Sequence, residues 1–185
     1  MSAKHSVGEK LCLTCGLCCN GVIFADVQLQ RGDDAERFKA LGLPLASFRG
    51  RQTEAGHSAH WKIPQPCAAF DGCHCRVYAD RPKHCRAFDC ALLKSVNEGE
   101  VKVPAALRTI EKARERAEKV RQLLRKLGDK DEHIALSLRF RRVAKRFQQT
   151  DVKPQTAEIF SELTLANHDL NLVLSEKFYP GAANE

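Results

Sequence analysis

The sequence places four cysteines within eight residues, in the run CLTCGLCC that spans residues 12–19. All nine cysteines of the 185-residue chain lie between Cys12 and Cys90, and the last 95 residues contain none. Such a density is typical of small disulfide-linked scaffolds or of metal-binding domains. What these thiols bind therefore constrains the fold of the first half of the chain more than any other feature does.

A disulfide framework is the simplest alternative, and several features argue against it. The N-terminal stretch MSAKHSVGEK has no apolar segment after its lysines, so we expect no secretory signal and a cytoplasmic location. Thiols stay reduced in that compartment, and an odd number of cysteines leaves at least one without a partner. Cysteines that act only as small buried hydrophobes do not explain clustering at regular spacing. We therefore interpret the set as metal ligands.

The spacing of the first run favours chelation. A C-x2-C pair can hold one ion from a tight turn, and Gly16 supplies backbone freedom just after Cys15. A third cysteine at the same interval gives the C-x2-C-x2-C run that wraps iron–sulfur clusters. The spacing alone leaves zinc, iron and a cluster open.

Cys18 and Cys19 are adjacent, and adjacent side chains generally diverge. We expect one of them to join Cys12 and Cys15, and the other to join sulfurs from residues 67–90. The alternative is that only one of the pair binds metal while the other packs as a small hydrophobe. If the pair is shared, the two cysteine runs cannot fold independently.

The second run, residues 67–90, reads CAAFDGCHCRVYADRPKHCRAFDC. Several thiolates around a cation carry excess negative charge, which nearby guanidinium groups can offset while lowering the thiol pKa values. The basic residues placed among these cysteines are Arg76, Arg81, Lys83 and Arg86.

A short helix is predicted over about residues 81–93, with Asp80 as its N-cap. This helix would carry Cys85 and Cys90 five residues apart, about a turn and a half. Both could then reach one site only if the helix ends or bends near Phe88.

The two runs together resemble a known family. The CxxCxxCC run at residues 12–19, followed by the Cys-x2-Tyr-x2-Arg-Pro-x2-Cys-Arg run at residues 75–86, is similar to the cysteine-cluster proteins of the YkgJ type, which are described as zinc- or iron-chelating. The resemblance covers roughly residues 10–95. It implies zinc or iron as the cofactor, and the C-x2-C-x2-C spacing leaves an iron–sulfur cluster as an alternative. The ligand set that it implies is Cys12, Cys15, Cys18, Cys19, Cys67, Cys75, Cys85 and Cys90. Cys73 falls outside the family pattern.

Other chemistry finds little support. His74 and His84 adjoin cysteines, and we interpret them as outer donors or exposed residues rather than ligands. The sequence contains no Gly-rich phosphate loop, no Ser-His-Asp order and no H-E-x-x-H helix. It names no catalytic residue and does not decide whether the protein is an enzyme.

The predicted fold class is α+β, with a small, irregular, metal-stabilised cysteine domain at residues 1–100. Within it we expect a strand at residues 21–27, a helix between Asp33 or Asp34 and Gly42, and a strand at residues 60–63. From residue 101 to 185, apolar residues recur every three or four positions in three segments, which predicts an antiparallel region of about three helices. No segment approaches the length of about 20 apolar residues that a membrane span needs.

Charge is unevenly divided. Residues 101–148 hold 15 Lys or Arg and 6 Asp or Glu, a net charge of +9, whereas residues 149–185 carry −4. A basic helix pair of this kind can bind nucleic acid or an acidic protein surface. We favour a solvated face that the acidic third helix partly neutralises, with only weak binding of such partners.

Three functions follow from these features. The leading hypothesis is a cytosolic chelator of zinc or iron. The second is an iron–sulfur enzyme or redox subunit. The third is a nucleic-acid or ribosome-associated adaptor in which the metal is structural.

Overall fold

A computed structural model describes residues 6–48, 60–72, 74–149 and 153–179 of the chain. Within these ranges the helices are α1 Val7–Cys15, α2 Ala35–Ala40, α3 Lys83–Ala87, α4 Ala91–Asn97, α5 Val103–Lys126, α6 Leu136–Gln149 and α7 Pro154–Lys177. The strands are β1 Asp26–Gln28, β2 Ala46–Phe48 and β3 His60–Pro64. They form one antiparallel sheet in which β3 lies between β1 and β2. This combination confirms the α+β class.

The strand predicted at residues 21–27 is wrong over most of its length, since β1 begins only at Asp26. Gly21 has a φ of 77°, and the next residues turn into the core instead of pairing with a strand. The N–H of Ile23 donates to the carbonyl of Leu17 at 3.1 Å, and the N–H of Leu136 donates to the carbonyl of Gly21 at 2.9 Å. Short apolar runs are ambiguous between strand and buried turn, and tertiary contacts decide here.

The helix predicted between Asp33 or Asp34 and Gly42 and the strand predicted at residues 60–63 are confirmed. The side chain of Asp34 accepts the N–H of Arg37 at 3.0 Å and caps α2, and the chain turns after this helix at Gly42, whose φ is 78°. Strand β3 contains the predicted strand at residues 60–63. None of the described helices is both long and apolar enough to cross a membrane.

The single helix predicted at residues 81–93 is also wrong, because the chain forms two short helices, α3 and α4. The backbone becomes extended at Phe88, with φ −82° and ψ 112°. Asp80 is not an N-cap; Pro82 holds that position, and Asp80 forms an ion pair with Arg37 of α2. The break at Phe88 is the condition under which Cys85 and Cys90 can take separate directions.

The last three helices agree with the predicted helical region. Helices α5 and α7 run antiparallel, because Arg116 donates to the carbonyl of Asp169 while Lys119 pairs with Glu162 at 3.2 Å. Between α6 and α7, two phenylalanine rings stack with their centroids 4.2 Å apart.

One apolar core joins both halves of the chain. It includes Leu11, Leu17, Ile23 and Leu92 from the first hundred residues, with Ile110, Val120, Leu124, Leu163, Leu170 and Phe178 from the helices. A second, smaller core lies against the sheet and is formed by Val27, Phe38, Leu43, Ile63, Ala69 and Val77. The division of the chain into domains at residue 100 stays a prediction, and the larger core crosses that position.

A buried ion pair connects α6 to the turn that follows α5. Arg139 is 1% exposed, and its Nε donates to the carboxylate of Asp129 at 2.9 Å. Burial opposes ionisation of Asp129, but hydrogen bonds from Arg142 and Arg139 outweigh it and hold the pKa of this carboxyl below its usual range. Part of the basic α6 sequence is therefore internal structure rather than a solvated face.

Replacing Asp129 by Asn should destabilise the fold by about 3–5 kcal/mol, because Arg139 would stay buried without its counter-charge. Since the pKa of Asp129 is lowered in the folded state, its contribution is complete above about pH 4 and is lost as the pH falls further. Urea unfolding followed by circular dichroism at pH 7 measures the loss. The control is Asp131→Asn, whose carboxylate is about half exposed beside Arg142 and should cost less than about 1 kcal/mol. Equal losses for the two variants would contradict the assignment.

Candidate metal centre

Helix α1 carries the first two cysteines in its last turn. Cys12 and Cys15 are three residues apart, which places neighbouring side chains on one face of a helix. The helix, rather than the tight turn expected from the spacing, therefore sets their geometry. Its N-terminus is fixed by a capping box between Ser6 and Glu9, a signal that the sequence contains and that would have predicted this helix.

Gly16 ends α1 and needs to be glycine. Its φ is 63°, and its N–H donates to the carbonyl of Cys12 at 3.3 Å. The ring of Phe70 lies directly over it, so that a Cβ at this position would stand 2.5 Å from a ring carbon. This close approach brings the segment after β3 against the end of α1.

The two cysteine runs are joined through their backbones. After Gly16 the chain turns, and the N–H of Cys19 donates to the carbonyl of Gly16 at 3.0 Å. The N–H of Cys67 in turn donates to the carbonyl of Cys19 at 2.8 Å. An isolated antiparallel bridge between Phe70 and Cys75 closes the loop that follows Cys67.

Six of the eight described cysteines divide between the two apolar cores. Three of them, Cys15, Cys18 and Cys90, pack against the larger core, and three others, Cys67, Cys75 and Cys85, pack against the core at the sheet. The break of the helix at Phe88 separates Cys85 from Cys90. Cys85 lies within α3, whereas the sulfur of Cys90 caps α4 by accepting the N–H of Leu93 at 3.4 Å.

Two neighbouring cavities contain these thiols. The helix-side cavity, of about 50 Å³, is lined by Cys12, Cys15, Cys18, Cys19 and Cys90 together with apolar residues that include Leu11, Ile110 and Phe178. The sheet-side cavity, of about 80 Å³, is lined by Cys12, Cys18, Cys19, Cys67, Cys75 and Cys85 together with Phe24, Ile63, Phe70, Tyr78 and Arg81. Cys12, Cys18 and Cys19 line both cavities and so lie at the boundary between them.

Burial favours the neutral form of four of these thiols. It raises the pKa of Cys15 and of Cys85 to about 12, and it also raises the pKa of Cys18 and of Cys19. Neighbouring sulfurs add to the effect of burial because two thiolates repel each other.

The neighbouring sulfurs differ between the two adjacent residues. Besides burial, the sulfurs that raise the pKa of Cys18 are those of Cys15 and Cys12, followed by those of Cys19 and Cys90. The sulfurs that raise the pKa of Cys19 are those of Cys67, Cys75 and Cys85, followed by that of Cys12. We call Cys12, Cys15, Cys18 and Cys90 the helix-side cluster, and Cys19, Cys67, Cys75 and Cys85 the sheet-side cluster.

The donor set suits a soft, tetrahedral ion. All eight cysteines of the two clusters are free thiols. Among the described residues, no three cysteine, histidine, aspartate or glutamate side chains already have the closed arrangement of a metal site. Thiolates are the ligands of zinc and of iron in tetrahedral sulfur sites. A cation that displaces the thiol protons would replace repulsion between sulfurs by attraction to the ion, and would draw each cluster together.

The basic residues of the second run have different roles. Arg76 donates to the carbonyl of Ala68 at 2.6 Å, and Lys83 donates to the carbonyl of Arg31 at 2.7 Å. Arg86 is exposed. Of these four basic residues, only Arg81 lines a thiol cavity.

Two arginines of α5 that the sequence analysis did not single out hold the first cysteine run. Arg114 donates to the carbonyls of Thr14 at 2.6 Å and of Cys15 at 3.0 Å, and Arg121 donates to the carbonyl of Asn20 at 3.4 Å. These contacts join residues about a hundred positions apart in the chain. No local sequence pattern predicts these contacts between α5 and the first cysteine run. The sequence shows only that α5 carries an excess of positive charge.

His74 and His84, the two histidines that adjoin cysteines in the sequence, have other surroundings in the structure. His74 is exposed, and its N–H donates to Asp71 at 2.7 Å. The ring of His84 packs against Phe24 with centroids 5.2 Å apart, and its buried Nε2 has no hydrogen-bond partner in the described part of the chain. Neither histidine lines the helix-side or the sheet-side cavity. Cys73 lies outside the described residues.

The α+β fold and the eight clustered thiols define a cysteine-rich, metal-binding class of protein. Residues 11–119 match the model of the CxxCxxCC family, which bears the description "Putative zinc- or iron-chelating domain". The match covers more than half of the chain, and the protein belongs to this family. This confirms the resemblance drawn from the two cysteine runs. The match also includes the part of α5 that carries Arg114. No curated protein and no solved structure matches the chain.

The raised pKa values predict slow alkylation. In metal-free, folded protein at pH 8, Cys15 and Cys85 should react with iodoacetamide at least about a hundredfold more slowly than in the chain unfolded by urea. The thiolate is the reactive form, so the rate should rise about tenfold per pH unit while the pH stays below the thiol pKa. Mass spectrometry of peptides from timed samples measures each cysteine separately, and circular dichroism verifies that the protein is folded. Equal rates in the folded and unfolded chains at pH 8 would contradict the burial of these thiols.

Proposed function

We propose that this protein binds two ions of zinc or iron, one in each thiol cluster. Cys12, Cys15, Cys18 and Cys90 hold the ion on the helix side, and Cys19, Cys67, Cys75 and Cys85 hold the ion on the sheet side. The observation that carries the proposal is the division of the thiols between the two apolar cores. Cys15, Cys18 and Cys90 pack against the larger core, whereas Cys67, Cys75 and Cys85 pack against the core at the sheet. The N–H of Cys67 donates to the carbonyl of Cys19 and so joins Cys19 to the second group. Eight thiolates match two four-coordinate sites.

Each ion connects parts of the chain that are distant in sequence. The helix-side cluster joins the end of α1 to the start of α4, and the sheet-side cluster joins the turn after Gly16 to residues 67–85. In small zinc domains the free energy of metal binding is on the order of 10 kcal/mol and is also folding free energy. We infer that the ions hold the irregular first hundred residues in place, while the helices supply a core that does not depend on metal.

The chemistry of the clusters favours chelation over catalysis. Four protein ligands fill a tetrahedral ion and leave no position for a substrate, whereas catalytic zinc sites have three protein ligands and an open position. Apolar side chains around both cavities support this closed character because they restrict the access of water.

We propose a cytosolic location, which the free thiols support because they remain reduced there.

The adaptor hypothesis has less support from the side chains of α6. Arg139 and Arg142 bind Asp129, and Arg146 donates to the carbonyl of Leu127, so three of the arginines of α6 have internal partners. Phosphate binding needs such groups to be available at the surface.

An iron–sulfur cluster uses the same cysteines as a chelated ion, so metal analysis separates those two functions.

Protein purified without oxygen should contain about two equivalents of metal per chain, measured by elemental analysis together with acid-labile sulfide. Colourless protein with zinc, or iron without sulfide, would support chelated ions. Brown protein with iron and sulfide would establish the iron–sulfur alternative. A folded protein that contains no metal and takes up none would contradict the proposal.

Matched variants assign the ions to the clusters. Cys15→Ser and Cys85→Ser should each remove about one equivalent, because they change one ligand of different clusters. Cys73→Ser is the control, since Cys73 is outside the family pattern, and it should retain both equivalents. Loss of metal from the Cys73 variant equal to that from the others would show that the ligand set is wrong.

A further inference from the structure

Arg81 lies beside thiols of both clusters. It lines the sheet-side cavity with Cys19, Cys67, Cys75 and Cys85, and also with Cys12 of the helix-side cluster. One guanidinium group therefore lies at a cavity that contains thiols of both clusters.

The guanidinium group of Arg81 has a fixed position. Its central carbon lies 3.5 Å from the centre of the Tyr78 ring, which is a close cation–π contact. The hydroxyl of Tyr78 donates to Glu9 at 3.4 Å, and the other carboxylate oxygen of Glu9 accepts the N–H of Ser6 at 2.9 Å. Arg81 is thus tied through Tyr78 to the N-terminus of α1, the helix that carries Cys12.

Arg81 also retains an unused donor. Its Nε is buried and has no hydrogen-bond partner in the described part of the chain. A buried N–H without an acceptor is unfavourable, and charge-assisted hydrogen bonds to an anionic acceptor are the strong ones. A thiolate formed in the sheet-side cavity when metal binds would be such an acceptor.

When both clusters bind metal, their negative charges favour a positively charged group nearby. A divalent ion with four thiolates carries a net charge of about −2. The clusters share the Cys18–Cys19 peptide, whose Cα atoms are about 3.8 Å apart, so the two negative charges would repel each other at short range in an apolar environment.

The other nearby arginines do not line the cavity that contains thiols of both clusters. Arg114 donates to the carbonyls of Thr14 and Cys15, Arg76 donates to the carbonyl of Ala68, and neither lines a thiol cavity. Arg86 is exposed to solvent on α3. This makes Arg86 a matched control, because it has the same side chain five residues further along the same run.

We propose that Arg81 is the counter-charge shared by the two clusters, and that its guanidinium group allows both to hold a divalent ion at the same time. The inference rests on the proposed function, because it presupposes two sites. It assigns to Arg81 a positioning and charge-compensating role rather than that of a ligand. Its loss should weaken mainly the second binding event, when the first cluster is already negatively charged.

The test is a titration of metal-free protein with Zn²⁺ alone, in competition with a chromophoric chelator, which gives the first and second binding constants separately. For Arg81→Met we expect the second constant to fall at least about tenfold more than the first. Arg86→Met should bind as the wild type does.

Arg81→Lys separates charge from shape. Lysine retains the positive charge without the planar stack on Tyr78 and should restore a large part of the second constant, whereas the neutral Arg81→Gln should not. Equal binding by wild type, Arg81→Met and Arg81→Gln would overturn the inference and leave the proposed function intact. An equal loss in the Lys and Gln variants would overturn it as well, because charge would not be the cause. A wild-type protein that binds fewer than two Zn²⁺ ions would instead refute the proposed function.

Discussion

Cys18 and Cys19 share a peptide bond in the turn after Gly16, but they contact different parts of the chain. Cys18 is near the end of α1 and the larger core, whereas Cys19 is near the loop after β3 and helix α3. This division requires both cysteine runs to be in place at once. The backbone hydrogen bond from Cys67 to Cys19, the ring of Phe70 over Gly16, and the break at Phe88 all serve that arrangement.

The helical region supports the cysteine-rich region instead of standing apart from it. Arginines of α5 bind the carbonyls at the end of α1 and in the following turn, and Phe178 after α7 lines the helix-side cavity. The N–H of Ala91, at the start of α4, donates to the carbonyl of Phe178 at 3.1 Å. Helix α5 and the residue after α7 therefore position Cys15 and Cys90, two proposed ligands of the helix-side cluster.

Features with local causes could be predicted from the sequence. The cap of α2 at Asp34, the three apolar stripes of the last helices and the likeness to the CxxCxxCC family each depend on residues close together in the chain. Features that depend on tertiary contacts could not. The strand expected at residues 21–27 is mostly a buried turn because it packs against α6, and Arg139 is interior because Asp129 is its partner.

The candidate site could also be predicted only in part from the sequence. The sequence names the eight cysteines, the divergence of the adjacent pair and the grouping of Cys12 with Cys15. It does not separate Cys85 from Cys90, because that separation depends on the break of the helix at Phe88. The sequence also does not distinguish Arg81 from Arg76 and Arg86, whereas in the structure Arg81 alone of these three lines a thiol cavity.

The most direct test of the central claim is a crystal structure of the metal-loaded protein with the metal located by its anomalous scattering. The two-cluster arrangement predicts two metal ions, each with four sulfurs at about 2.3 Å, with Cys18 bound to one ion and Cys19 to the other. A structure in which both of these sulfurs bind the same ion, or in which either lies far beyond about 2.3 Å from every metal, would contradict it.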